Sequence, residues 1–158
     1  MAGNKNILII LSAFFALIAL VSVNPAMSAQ CNITATPLNF GSYDPLSGIP
    51  LSATGSFNIS CKPNKQSFNI TVQLTPGNSG SFAQRTMLSG GGSQLFYNIY
   101  ANPAQTAVLG DGSGGSITLT QSVTRQTPWN VSLYGQIPAL QNVTPGLYND
   151  LLTATILW

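Results

Sequence analysis

The sequence predicts an all-β domain built as an antiparallel sandwich. Three observations carry this. Short runs alternate apolar and polar residues with period two. Gly, Pro, Asn and Ser interrupt the chain roughly every 8–15 residues. Beyond the first two dozen residues, no stretch shows a sustained helical apolar pattern with a cap.

The first element reads as a secretory leader. Lys5 supplies a positive start, and Ile7 to Val23 is an apolar run broken only by Ser12 and Ser22. Pro25 and the mostly small residues Ala26-Met27-Ser28-Ala29 then form a cleavage zone, with cuts expected after Ser28 or after Ala29. A retained membrane anchor is the alternative, but the run is short for a spanning helix of about 20 residues. Lipid attachment at Cys31 is disfavoured, because Gln30 stands where lipoprotein signals carry a small residue. The expected organisation is a signal peptide over 1–29 and a single domain over 30–158. No second apolar segment is long enough to span a membrane, so the mature chain is expected outside the cytoplasm.

Cys31 and Cys61 are the two cysteines of a chain bound for an oxidising compartment, which predicts one disulfide; two free thiols are the other possibility. Phe57, Ile59 and Cys61 alternate as in a half-buried strand, and so do Phe68, Ile70, Val72 and Leu74 with Asn69, Thr71 and Gln73 between them. Leu95 to Tyr100 (LFYNIY) is apolar or aromatic on both faces, as in a strand buried between two layers. Val131 and Leu133 alternate again. The final strand is expected over Leu151 to Trp158, with Leu152, Ala154, Ile156 and Trp158 on one face. PGNSG (76–80), SGGGS (89–93) and GDGSGG (110–115) supply turns in which positive φ is cheap, and no helix follows them as a phosphate-binding loop requires. Seven or so short strands joined this way give an Ig-like sandwich.

Composition argues against catalysis. Histidine and glutamate are absent, so a nucleophile would have only Lys62 or Lys65, on a polar turn, as its base. The three carboxylates, Asp44, Asp111 and Asp150, sit before a proline, in a glycine loop and ahead of the last strand, where capping a turn is the expected role. They offer neither a glycosidase pair nor a metal set, so no catalytic residue, metal or cofactor is expected. Five basic residues give a net charge of only +2 and no basic patch, which excludes a nucleic-acid footprint. Five N-x-[ST] triplets, at Asn32, Asn58, Asn69, Asn130 and Asn142, read as polar strand-face residues rather than modification sites.

The ordered set Cys31, FGSYD (40–44), Cys61, RTM (85–87), LFYNIY (95–100), YGQI (134–137) and GLYND (146–150), ending in an apolar strand, resembles the spore coat protein U family. That family includes Csu-type subunits of archaic chaperone–usher pili. The resemblance covers essentially the whole mature chain. It implies an Ig-like domain lacking its last strand, whose partners are a periplasmic chaperone, an outer-membrane usher and a neighbouring subunit. Its function would be that of a non-enzymatic fimbrial subunit supporting adhesion and biofilm formation. A self-completed surface or coat protein and a small carbohydrate-binding sandwich are the alternatives. The carried-over positions are structural: Phe40 and Tyr43 pack near the first strand, and Gly41, Gly135 and Gly146 allow close backbone. Asp150 bonds a turn, Arg85 pairs with an aspartate, and Tyr97, Tyr134 and Tyr148 are core or sheet-face residues. The open groove would be bordered by Leu152, Ala154, Ile156 and Trp158.

Polymerising members of the family carry an alternating donor segment before the first cysteine. Here only Gln30, with or without Ala29, is expected there after cleavage. The expectation is a chain that accepts a strand and gives none, as at a pilus tip. Retention of VSVNPAMS (21–28) as the donor is disfavoured by its central proline.

Overall fold

A computed structural model describes residues 30–62, 67–124 and 128–158. The leader, its cleavage site and Lys65 lie outside the described residues. Among the described residues nine strands follow one another: β1 (Gln30–Thr36), β2 (Leu51–Lys62), β3 (Phe68–Leu74), β4 (Arg85–Ser89), β5 (Gln94–Tyr100), β6 (Leu119–Val123), β7 (Trp129–Ile137), β8 (Tyr148–Asn149) and β9 (Ala154–Leu157). That is more than the seven or so expected, and one of them, β8, is only two residues long, paired with the end of β4. All strand pairs are antiparallel, in a six-stranded sheet ordered β1-β2-β7-β5-β4-β8 and a three-stranded sheet ordered β6-β3-β9.

The alternation seen in the sequence becomes the core. Ile70, Val72 and Leu74 of β3 face Phe57 and Ile59 of β2, Val131, Leu133 and Ile137 of β7, and Leu95, Tyr97 and Ile99 of β5. The polar partners of that alternation, Asn58 and Asn130, lie exposed on the outer face of the large sheet, where one side-chain amide donates to the other at 2.6 Å. Cys31 and Cys61 are directly opposite in the β1–β2 register and are joined as a disulfide.

Turn chemistry is used as the residues allow. PGNSG folds as a 3-10 turn over Gly77–Ser79, with Gly77 and Gly80 at φ 72 and 65°. Gly92 turns the β4–β5 hairpin at φ 81°, and Gly112, Gly114 and Gly115 shape the long loop before β6.

The end of the chain departs from expectation. Thr71↔Leu157 is the last register pair of β9, so Trp158 lies beyond the ladder and is 60% exposed rather than on the inner face. The strand begins at Ala154, because residues 150–152 bend around the 3-10 turn before Thr153 meets Thr75.

Candidate functional site: a groove between two unpaired edges

Among the described residues, β1 pairs only with β2, and β9 pairs only with β3. Within those residues each therefore has one edge whose N–H and C=O groups meet no strand. These edges belong to different sheets, and a cavity of about 470 Å³ opens between them. Ile33 and Ala35 of β1 form one wall, Leu152 and Ala154 the other, and Phe57, Leu74 and Leu133 the floor.

Burial shows what is incomplete. Inward-facing Ile70 and Val72 of β3 are 0% exposed, as expected for a strand with neighbours on both sides. Leu152, Ala154 and Ile156 face the same core yet are only half-buried, and Ala35 of β1 is exposed although its position points inward. Of the four residues expected to border the groove, Leu152 and Ala154 line it, Ile156 packs on the core beside it, and Trp158 stands outside.

One end of the groove is polar. The Tyr97 hydroxyl donates to Asp150 Oδ2 at 2.8 Å, and the Asn78 amide donates to Asp150 Oδ1 at 2.9 Å. A side chain at Gly77 would meet the Asp150 carboxylate at 2.2 Å, so glycine is required for this carboxylate to sit against the turn. Burial pushes the Tyr97 phenol well above its ordinary range, and the bond to Asp150 adds to the shift.

Beneath this end lies Arg85, which is 0% exposed. Its Nε and Nη2 donate to the Thr75 carbonyl at 3.3 and 3.0 Å, Nη2 also to the Leu109 carbonyl at 2.7 Å, and Nη1 to Asn98 Oδ1 at 2.7 Å. Its guanidinium carbon lies 5.2 Å from the centre of the Phe82 ring. Burial lowers its pKa, opposed by the negative charges available to Tyr97 and Asp150. The expected contact with an aspartate is thus replaced by one amide and two carbonyl oxygens. Asp150 spends its bonds on Tyr97 and the turn, and burial among neutral acceptors satisfies the cation without a carboxylate in contact. Asn98 signals this arrangement in the sequence, as the single amide inside the apolar run LFYNIY; the carbonyls of Thr75 and Leu109 have no sequence signal at all.

The other motif residues are structural and scattered around the groove. Phe40 meets Tyr97 edge to face at 6.0 Å and covers Gly135, where a Cβ would approach its ring to 2.6 Å. Gly41 turns at φ 71°. The Tyr43 hydroxyl donates to the Pro138 carbonyl and accepts from the Gln141 amide, tying the β1–β2 and β7–β8 connections together. Asp44 accepts from the Leu46 amide and Asp111 from the Ser113 amide and hydroxyl, so both cap turns. Tyr134 is half-buried on the outer face opposite Thr54 and Tyr100, and the Tyr148 hydroxyl donates to the Thr144 carbonyl. A Cβ at Gly146 would meet only the Ser89 Cβ, at an ordinary 4.0 Å, so the close approach expected there is not made.

Among the described residues, no three His, Cys, Asp or Glu side chains gather to hold a metal, and no helix is long and apolar enough to cross a membrane.

The profile described as the Spore Coat Protein U domain matches residues 17–155. Protein U of Myxococcus xanthus is 30% identical over 144 residues, which cover 85% of this chain and 79% of that protein. Among solved structures, a chain of the CsuC–CsuE chaperone–tip adhesion subunit pre-assembly complex from archaic chaperone–usher Csu pili of Acinetobacter baumannii has the same fold. It aligns with a TM-score of 0.55 at 22% identity, over 83% of this chain and 40% of that one.

Proposed function

The chain belongs to the spore coat protein U domain family, whose members are structural and non-enzymatic, and on that premise we propose that it is a fimbrial subunit of the chaperone–usher type that accepts a β-strand from another chain. The observation that carries this reading is the groove with half-covered walls: among the described residues, Leu152 and Ala154 on one side and Ala35 on the other lack a neighbour that would bury them. An added strand would supply main-chain hydrogen bonds to both open edges and cover Phe57, Leu74 and Leu133. During export that strand comes from a periplasmic chaperone; at the outer-membrane usher a neighbouring subunit replaces it. The pairing of chaperone and subunit in the Acinetobacter complex supports the first of these partners. The assembled fibre stands on the cell surface, where this chain takes a tip or minor place and serves adhesion and biofilm formation.

The test follows the full chain, exported to a periplasm and purified, with and without a co-expressed family chaperone or an added strand peptide. Weak, aggregating protein that gains a sharp and higher thermal transition with either addition is the expected result. A stable monomer indifferent to both overturns the reading in favour of a self-completed coat or surface protein.

A further inference from the structure

Resting on the strand-accepting reading, we infer that Asp150 fixes the register of the incoming strand by accepting a hydrogen bond from one neutral hydroxyl or amide side chain, Ser, Thr or Asn, on its groove-facing side. Asp150 is the one charged side chain among the described residues that line the groove. Everything else along the floor and walls is apolar, apart from a few uncharged polar groups such as Thr36, Tyr97 and Asn149.

An apolar groove alone specifies register poorly. A slip of one residue turns the strand's apolar face outward and is rejected, but a slip of two preserves the alternation and costs little. A single polar position breaks that degeneracy, as one buried amide does in a coiled coil, because every other register leaves a polar group against apolar surface. Asp150 is held for this role. Tyr97 and the Asn78 amide fix both of its oxygens, and a carboxylate has further lone pairs to offer.

Charge selects a neutral donor over a cation. Arg85, fully buried beneath this end and the register partner of Tyr97, interacts electrostatically with Asp150, so the carboxylate already has a cation nearby. A second cation in the groove would be repelled by Arg85 from below, and a carboxylate would be repelled by Asp150.

The experiment uses the exported full chain and a set of strand peptides of about ten residues with apolar side chains at alternate positions. In each peptide a different apolar position is replaced by Ser. One position is expected to bind about tenfold tighter than the others and the all-apolar parent, the scale of one hydrogen bond to a charged acceptor. Asp at that same position is expected to abolish the gain, and in the Asp150→Asn chain this Asp peptide recovers binding. A flat profile, with the parent binding as tightly as every Ser peptide, overturns the inference and leaves strand acceptance standing. No stabilisation by any peptide, the parent included, overturns strand acceptance itself.

Discussion

Thr75 and Thr153 hold each other by two hydrogen bonds: the Thr75 amide donates to the Thr153 carbonyl at 3.0 Å, and the Thr153 amide donates to the Thr75 hydroxyl at 2.9 Å. The remaining polar group of Thr75, its carbonyl, accepts from Arg85. A buried guanidinium under the sheet thereby sets the position of the residue from which the groove wall starts.

Removing that cation should be costly. Arg85→Met leaves the Leu109 and Thr75 carbonyls without a buried donor and Asn98 Oδ1 with the Ile99 amide alone, and is expected to destabilise the domain by about 3–5 kcal/mol. Arg85→Lys restores a charge but not the planar fork that reaches three segments, so it should recover only part of the loss. Urea unfolding followed by tryptophan fluorescence measures both. A loss below about 1 kcal/mol for Arg85→Met would mean the guanidinium is not holding these segments together.

Tyr97 gives the domain an alkaline limit. The folded state keeps this phenol protonated well above the ordinary value, whereas the unfolded chain releases the proton near pH 10. The folded pKa is raised, so the contribution is complete below about pH 10 and is lost as the pH rises further. Tyr97→Phe should unfold about 1–2 kcal/mol more easily at neutral pH, because Asp150 loses a partner. Its stability should then fall less steeply than the wild type's above pH 10. Parallel pH curves for the two proteins would contradict the assignment.

The disulfide ties down the edge strand β1. Cys31→Ser together with Cys61→Ser opens a loop with a sequence separation of 30 and should cost about 3–4 kcal/mol in the chain-entropy view. Comparing denaturant midpoints of the native and double-variant chains gives the figure. An equal midpoint would show that β1 is held by its ladder alone.

Ala35 offers a way to fill the groove from within. Ala35→Phe places a ring over the floor at Phe57 and Leu133, and should raise the thermal midpoint of the unoccupied chain by burying apolar surface worth roughly 1–2 kcal/mol. The same ring should weaken binding of a strand peptide at least about tenfold, since both need one volume. A variant that gains no stability and binds peptide normally would place the strand elsewhere.

Sequence patterning made the interior strands legible. Ile70, Val72 and Leu74, or Val131 and Leu133, alternate because each is sandwiched between paired neighbours, and period two records that directly. It was less informative at the last strand. The alternation of Leu152, Ala154, Ile156 and Trp158 shows which way side chains point but not where the ladder stops, which depends on how far β3 extends beside it. Contacts between distant segments were silent. Phe40 over Gly135 and Arg85 on Thr75 arise from the stacking of sheets and loops, and neither residue carries a local mark of its partner. The carboxylates could be read as turn caps because that chemistry reaches only two residues ahead, as at Asp44 and Asp111.

Strand order also sets a timetable. β1 and β2 are consecutive and can close their ladder and disulfide as soon as both have emerged from a translocation pore. The other edge of β2 waits for β7, and Asn58 meets Asn130 across a separation of 72 residues. β9, which supplies one wall, follows later still. Folding dominated by such distant pairings is slow compared with that of helical domains of similar size. For that interval Phe57 and Ile59 face solvent on an unmatched strand, where encounter with another nascent chain leads to aggregation. The rate at which this domain matures is thus governed by the arrival of its last hundred residues, and any partner that shields β2 early acts on yield before it acts on stability.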